Sequence, residues 1–280
     1  MSKPTRTRLR PLRIRRHVSP APVATAQVQI EAVPVRRRRG FYLLPNAFTT
    51  ASLFCGFYAI VMAMNGRFEL AAIATFCAMV LDSLDGRVAR LTNTQSAFGE
   101  QYDSLSDMVS FGVAPALIMY EWNLRTLGKW GWVAAFVYCA GAALRLARFN
   151  ANIGIVDKRY FQGLPSPAAA ALVVGLVWVA TELRQSKWID STAADFAWLA
   201  WAFTLYAGIT MVSNVPFYSF KDLNVRRSVP FIFILGLVLA FVLVSVDPPL
   251  VLFALFVAYG LSGYVVWLWR KTRPKAVPVA

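Results

Sequence analysis

The feature that bounds this chain most tightly is a succession of apolar runs, each near the length a helix needs to cross a bilayer. Eight can be read, at about 44–64, 68–91, 97–122, 130–151, 165–184, 193–213, 228–246 and 248–270, against roughly 20 residues per crossing. Hydrocarbon offers the backbone no hydrogen-bond partners, so a spanning run must satisfy its own N–H and C=O groups as helix. With 58% hydrophobic and 15% charged residues, the chain lies outside the usual range of water-soluble domains. The expectation is an all-α polytopic membrane protein of about eight transmembrane helices. Gly66, Gly128, Pro165, Pro230 and the pair Pro248 and Pro249 fall at or near the junctions, where helix breakers belong.

Lys and Arg set the expected orientation, because short basic loops stay on the cytoplasmic side. With eight spans and a cytoplasmic N-terminus, only Arg67, Arg125, Lys129, Arg184 and Lys187 of the 29 basic residues fall outside. Both termini are then cytoplasmic. Residues 1–40 are a different material, with eleven Lys or Arg against the single acid Glu31. This arm reads as disordered and resting on anionic headgroups. Its apolar residues are scattered, unlike those of a cleaved export signal, and His17 is assigned nothing. No folded module accompanies the charge, so nucleic acid is not an expected partner. Cys55, Cys77 and Cys139 have no metal-ligand spacing and read as small buried apolar residues with no disulfide. Tryptophans such as Trp122, Trp130, Trp188, Trp267 and Trp269 lie toward span ends, as interfacial anchors do.

One stretch contradicts this apolar character: LDSLDGRVARLTNTQSAFGEQYDSLSDMVSFG, residues 81–112. A carboxylate at membrane depth costs about 3 kcal/mol on insertion scales, and Asp82, Asp85, Asp103 and Asp107 fall within 26 residues. Arg87 and Arg90 are too few to neutralise them. On helices, residues three or four apart share a face, so each aspartate pair projects one way. A short turn near 92–96 makes the two helices antiparallel neighbours that can aim both pairs into one gap. Four hard oxygen donors suit a divalent cation such as Mg²⁺ or Mn²⁺. Gly86 and Ala89 strip one helix beside Asp85, Gly99 leaves similar room on the other, and Arg90 can fork onto a phosphate. Together these describe a diphosphate site.

Asp82, Asp85, Gly86, Ala89, Arg90, Gly99, Asp103 and Asp107 reproduce the pattern D-x2-D-G-x2-A-R-x8-G-x3-D-x3-D without departure, and in this the chain resembles the CDP-alcohol phosphotransferases. The resemblance implies a helical core over about 41–215, in six helices, in which Asp82, Asp85 and Asp103 bind one or two divalent ions holding the diphosphate of a CDP-linked lipid. It implies Asp107 as general base, also able to touch a metal, Gly86, Ala89 and Gly99 as lining of the cytidine pocket, and Arg90 as a phosphate contact. A hydroxyl would attack the β-phosphorus and CMP would leave.

Three further stretches, LLPNAFTTASLFCGFYAI (43–60), LRLARFNANIG (144–154) and FQGLPSPAAAAL (161–172), resemble the bacterial members of that family that use serine. They imply CDP-diacylglycerol as donor, L-serine as acceptor and a bacterial inner membrane, with the active site on the cytoplasmic face. Arg145 and Arg148 share a helix face, where they suit a serine carboxylate or a lipid phosphate, or else snorkel or neutralise the aspartates. Asn46 is placed to donate to nucleotide or phosphate, or to start its helix, and Asn150 has a similar status. Residues 216–270 add two helices that read as packing or as an oligomer surface, which leaves a homodimer open, and 271–280 form a cytoplasmic tail. The basic loop with Lys221, Arg226 and Arg227 reads as a topology signal. Choline, inositol or glycerol 3-phosphate as acceptor is the alternative within the class. Choline would call for an aromatic cage. A cation transporter is the alternative outside it, but transport sites favour broken helices or repeated halves near the midplane.

Overall fold

In a computed structural model of the chain, described over residues 43–92, 94, 96–151, 160–185, 193–218 and 231–272, every one of the eight apolar runs is helical. The helices are α1 (Leu43–Met64), α2 (Phe68–Leu91), α3 (Ala97–Asp107), α4 (Ala114–Trp122), α5 (Lys129–Ala151), α6 (Ser166–Gln185), α7 (Ala193–Val212), α8 (Phe231–Val246) and α9 (Pro248–Thr272). The basic arm 1–40 with His17, the loop carrying Lys221, Arg226 and Arg227, Trp188 and the tail beyond Thr272 lie outside the described residues.

Four helices, Pro45–Met64, Lys129–Ala151, Ser166–Gln185 and Pro248–Thr272, are long and apolar enough to cross a membrane, and Phe196–Val212 is a shorter apolar helix. The rest fall short for visible reasons. The second run carries Glu69, Asp82, Asp85, Arg87 and Arg90, the third is acidic and divided, and α8 is 16 residues long.

The division of the third run is local. Between α3 and α4 the helix widens into a π turn, Met108–Val113, directly after Asp107. Pro115 has no N–H for the carbonyl of Phe111, four residues earlier, and the Tyr138 hydroxyl of α5 donates to that carbonyl at 3.0 Å instead. Such π turns concentrate at functional sites.

α1 and α2 form an antiparallel hairpin whose turn uses Gly66 at φ 71°. There Gly66 N donates to Ala63 O and Arg67 N to Met62 O, each at 2.9 Å, the pair of hydrogen bonds that closes a helix with a left-handed glycine. α6 is the central helix, buried continuously from Ala168 to Val177 and packed against α2, α4, α7 and α9. α5 and α7 meet where Gly208 abuts Tyr138, so closely that a Cβ there would stand 2.9 Å from the Tyr138 Cα. Small residues allow this approach, and in hydrocarbon such packing is what holds helices together.

The all-α fold carries one small non-helical element. Segments leaving α5 and α7 at the same end pair as an antiparallel ribbon, β1 (Tyr160–Gln162) with β2 (Pro216–Tyr218), Tyr160 opposite Tyr218. The pairing satisfies backbone groups that have left their helices. α9 docks on this ribbon and on α7: Tyr206 Oη donates to Gly260 O at 2.8 Å, and Thr210 and Tyr264 hydroxyls meet at 2.7 Å. The cysteines form no disulfide, but none is fully buried: Cys55 and Cys139 are half-buried and Cys77 is exposed. In a bilayer the outward face of a helix meets lipid, so an apolar residue has no need of a protein interior.

Candidate active site

The two signature helices bring their carboxylates together as the spacing predicts. One oxygen each of Asp82, Asp85 and Asp103 lies within 4.8 Å of the others. Asp107, one turn further along α3, stands outside that triplet but interacts at short range with Asp82. The aspartates thus occupy two levels, Asp85 with Asp103 nearer the α2–α3 turn and Asp82 with Asp107 one helical turn beyond.

α1 supplies the frame. Thr49 Oγ1 donates to Asp85 Oδ2 at 2.7 Å. Ser106 Oγ of α3 donates to Thr49 O, and Ser110 Oγ of the π turn to Ser52 O, both at 3.2 Å. The Ser96 hydroxyl accepts from Gly99 N at 3.0 Å, capping α3 in the manner of an N-cap. Each of these polar side chains fixes an acidic helix to α1 or orders its start.

A cavity of about 220 Å³ opens over the upper level, lined by Asp85 and Asp103 together with Asn46, Gly86, Ala89, Arg90 and Gly99. A Cβ on Gly86 would meet nothing within 4 Å, so the glycine gives space to the cavity and not to a neighbouring side chain. Arg90 donates through Nε to Gly86 O at 2.9 Å, which holds its stem against α2 at the rim. The sequence reading did not single out Thr49, Ser96 or Glu100, which also line the cavity. Thr49 had a usable signal: it lies three residues after Asn46, on the same face of α1.

The donor set fits a divalent cation. Asp103 Oδ1 and Asp107 Oδ1 are buried without a hydrogen-bond partner. Among the described residues the direct ion pair is Arg125–Glu121 at 3.2 Å, away from the aspartates, so no described cation is paired with them. Clustered acidic oxygen in an apolar surround calls for a positive charge.

The two arginines of α5 diverge. Arg145 acts electrostatically on Asp107 without forming a direct ion pair, and its Nη1 donates to Ser166 Oγ at 2.9 Å. Arg148 instead donates to Val212 O at 2.9 Å and Asn214 Oδ1 at 3.2 Å, where it caps the C-terminus of α7 as a cation suits. Asn150 pairs with Ser104, its Nδ2 donating to the serine hydroxyl at 3.0 Å, and so joins α5 to α3 beside Asp103. Asn46 faces Gly99 across the cavity wall, its Oδ1 3.6 Å from where a Cβ of that glycine would lie.

Paired acidic helices, an open glycine and a flanking cavity are what a phosphotransferase site in a membrane protein would need, and comparison with known proteins identifies the family. Residues 42–212 match the CDP-alcohol phosphatidyltransferase family, and the chain belongs to that family. It is 36% identical over 233 residues to a CDP-diacylglycerol–serine O-phosphatidyltransferase of Helicobacter pylori, covering 83% of this chain and 94% of that protein. Proteins of the same name from Mycobacterium leprae (31% over 229 residues, 80% of this chain and 74% of that one) and Methanocaldococcus jannaschii (35% over 194 residues, 68% and 82%) are also similar.

Proposed function

We infer that the protein is a membrane enzyme that transfers the phosphatidyl group of CDP-diacylglycerol to the hydroxyl of L-serine, forming phosphatidylserine and releasing CMP. The observation that carries this reading is that Asp85 and Asp103 belong both to the carboxylate cluster and to the wall of the cavity. A diphosphate in that cavity would lie against the metal-binding oxygens. The relatives with which the chain aligns over most of its length carry the serine transferase name.

Asp82, Asp85 and Asp103 would hold one or two Mg²⁺ or Mn²⁺ ions, with Asp107 at the edge of the set. When bound, the metal neutralises charge on the diphosphate and on the departing CMP. Gly86, Ala89 and Gly99 give the cytidine flat contact, while Arg90 and Asn46 provide polar groups at the rim. Asp107 takes the proton from the serine hydroxyl as its oxygen bonds to the β-phosphorus, and the bond from that phosphorus to the bridging oxygen breaks, with the electron pair leaving on CMP. Arg145 acts electrostatically on Asp107 without a direct ion pair, and the two together would suit an acceptor whose hydroxyl meets one residue and whose carboxylate meets the other. Asn150 holds α5 against α3 on this side, and Arg148 supports it from the end of α7.

In this reading all eight helical runs cross a bacterial inner membrane, with both termini and the active site cytoplasmic. Residues 41–215 form the catalytic core, 216–270 a two-helix addition that also offers a dimer surface, 1–40 a lipid-facing arm and 271–280 a tail. The test is CMP release by purified protein in liposomes with CDP-diacylglycerol and Mn²⁺ or Mg²⁺, with serine, choline, inositol or glycerol 3-phosphate added separately. Serine-dependent release is expected. Release with another alcohol and none with serine would overturn the acceptor while leaving the aspartate chemistry.

A further inference from the structure

We propose that Ser166, in the segment GLPSPA that opens α6, is a positioning residue for the acceptor: it holds the Arg145 guanidinium in one orientation at the level of Asp107. This rests on the reading of Arg145 and Asp107 as the two ends of the acceptor side.

Contacts along α5 put Arg145 at that level. Tyr138 Oη donates to Phe111 O at 3.0 Å, and the Ala142 Cβ lies 3.2 Å from where a Cβ of Gly112 would stand. Further along α5, Asn150 Nδ2 donates to Ser104 Oγ at 3.0 Å. α5 thus runs antiparallel to α3 and the π turn. Asp107 falls between Ser104 and Gly112 on one side, as Arg145 falls between Ala142 and Asn150 on the other. Tyr138, Ala142 and Arg145 follow at helical intervals, so Arg145 shares the face that meets the π turn.

The hydrogen bond that holds Arg145 is direct. Its Nη1 donates to Ser166 Oγ at 2.9 Å. A guanidinium only donates, so the serine oxygen is the acceptor, and in a planar fork one fixed N–H sets the direction of the rest. With Nη1 engaged, the edge formed by Nε and Nη2 is left for a carboxylate, which takes such an edge with two parallel bonds. Nε is buried without a hydrogen-bond partner, a cost that an arriving anion relieves.

Ser166 is itself fully buried, and the chain before it is fastened to the end of α7. Gly163 N donates to Val215 O at 2.9 Å and Leu164 N to Thr210 O at 3.2 Å. Gly163 has φ 80° and leaves no room for a Cβ beside Met211 O, a turn that requires glycine. Pro165 and Pro167 have fixed φ on either side of Ser166, and Pro165 O accepts from Ala169 N at 2.9 Å as α6 begins. The serine is therefore a rigid anchor for a long side chain that otherwise has many rotamers.

Ser166→Ala removes the acceptor, and Ser166→Cys keeps the volume with a much weaker one. In both, the KM for serine should rise roughly fivefold, the effect of one hydrogen bond, while kcat and the KM for CDP-diacylglycerol stay within about twofold of the unmodified protein. CMP release in liposomes supplies the rates. Arg145→Lys, which loses the fork, is the reference and should raise the serine KM at least as far. An unaltered serine KM in both Ser166 variants beside a raised one in Arg145→Lys overturns the proposal and leaves the role of Arg145 in place. So does a loss shared equally by both substrates in Ser166→Cys with a lowered unfolding temperature, since that marks a packing role. An unaltered serine KM in Arg145→Lys, or CMP release with another alcohol and none with serine, removes the acceptor reading itself and this proposal with it.

Discussion

Thr49 on α1 donates its hydroxyl to Asp85 on α2 at 2.7 Å, so a helix with no acid of its own orients a carboxylate of the aspartate cluster. A carboxylate in an apolar surround has several rotamers available, and this bond selects one. The same α1 turn receives Ser106 from α3. α1 therefore sets the distance between the two acidic helices.

Replacing Thr49 with Val preserves shape and removes the donor. A hydrogen bond to a charged group contributes about 1.5–3 kcal/mol, so the Mn²⁺ concentration giving half-maximal CMP release should rise about tenfold. A metal titration of activity in liposomes checks this, and an unchanged midpoint would remove Thr49 from the site.

Asp107→Asn should lower turnover by about 10²–10⁴-fold, the range for a lost general base, while CDP-diacylglycerol still binds. Asp82→Asn should weaken metal-dependent binding as well. Equilibrium binding of the CDP-lipid, measured beside turnover, separates the two. Retained activity in Asp107→Asn would refute its role as base.

Gly86 gives opposite signs for stability and function. Leu there should gain up to about 1 kcal/mol of helix propensity without a clash at Cβ, since that position is open, yet its side chain would fill the cavity. The expected variant unfolds no lower than the parent and loses CDP-diacylglycerol binding. A thermal melt and a binding isotherm on the same preparation check both signs.

Chelation should stop CMP release, and Mg²⁺ or Mn²⁺ should restore it without refolding. The expectation follows from three carboxylate oxygens within 4.8 Å of one another and, among the described residues, no cation paired with them. Release that persists in excess chelator would mean that the cluster serves another purpose.

Tyr138→Phe removes the donor to Phe111 O and leaves a buried carbonyl unsatisfied, at about 1–3 kcal/mol. The unfolding temperature in detergent should fall by several degrees. Turnover should fall more than CDP-lipid affinity does, because the π turn adjoins Asp107 and not the cavity.

Much of this was legible beforehand because its signals are periodic or fixed in spacing. Three- and four-residue intervals between aspartates placed them on shared faces, and a short turn made their helices neighbours. Gly66 marked a turn that needs a left-handed residue. What could not be read depends on contacts far apart in sequence. The π turn arises from Pro115, which is visible, and Tyr138, which no local pattern links to it. The two α5 arginines share a helical face, but their partners, Ser166 for one and Val212 with Asn214 for the other, depend on how α6 and α7 arrive. The ribbon was hidden for the same reason, since neither of its three-residue strands has a period long enough to detect.

The π turn after Asp107 amounts to one residue inserted into an otherwise continuous rod, and a residue subtends about 100° of helical rotation. The acidic half before it and the apolar half after it are thereby set to different clock positions. Asp107 keeps its bearing toward the other three aspartates while Ile118 and Met119 turn into the core. Deleting one residue between Met108 and Val113 would swing one half against the other, so length in this stretch should be less forgiving than side-chain identity.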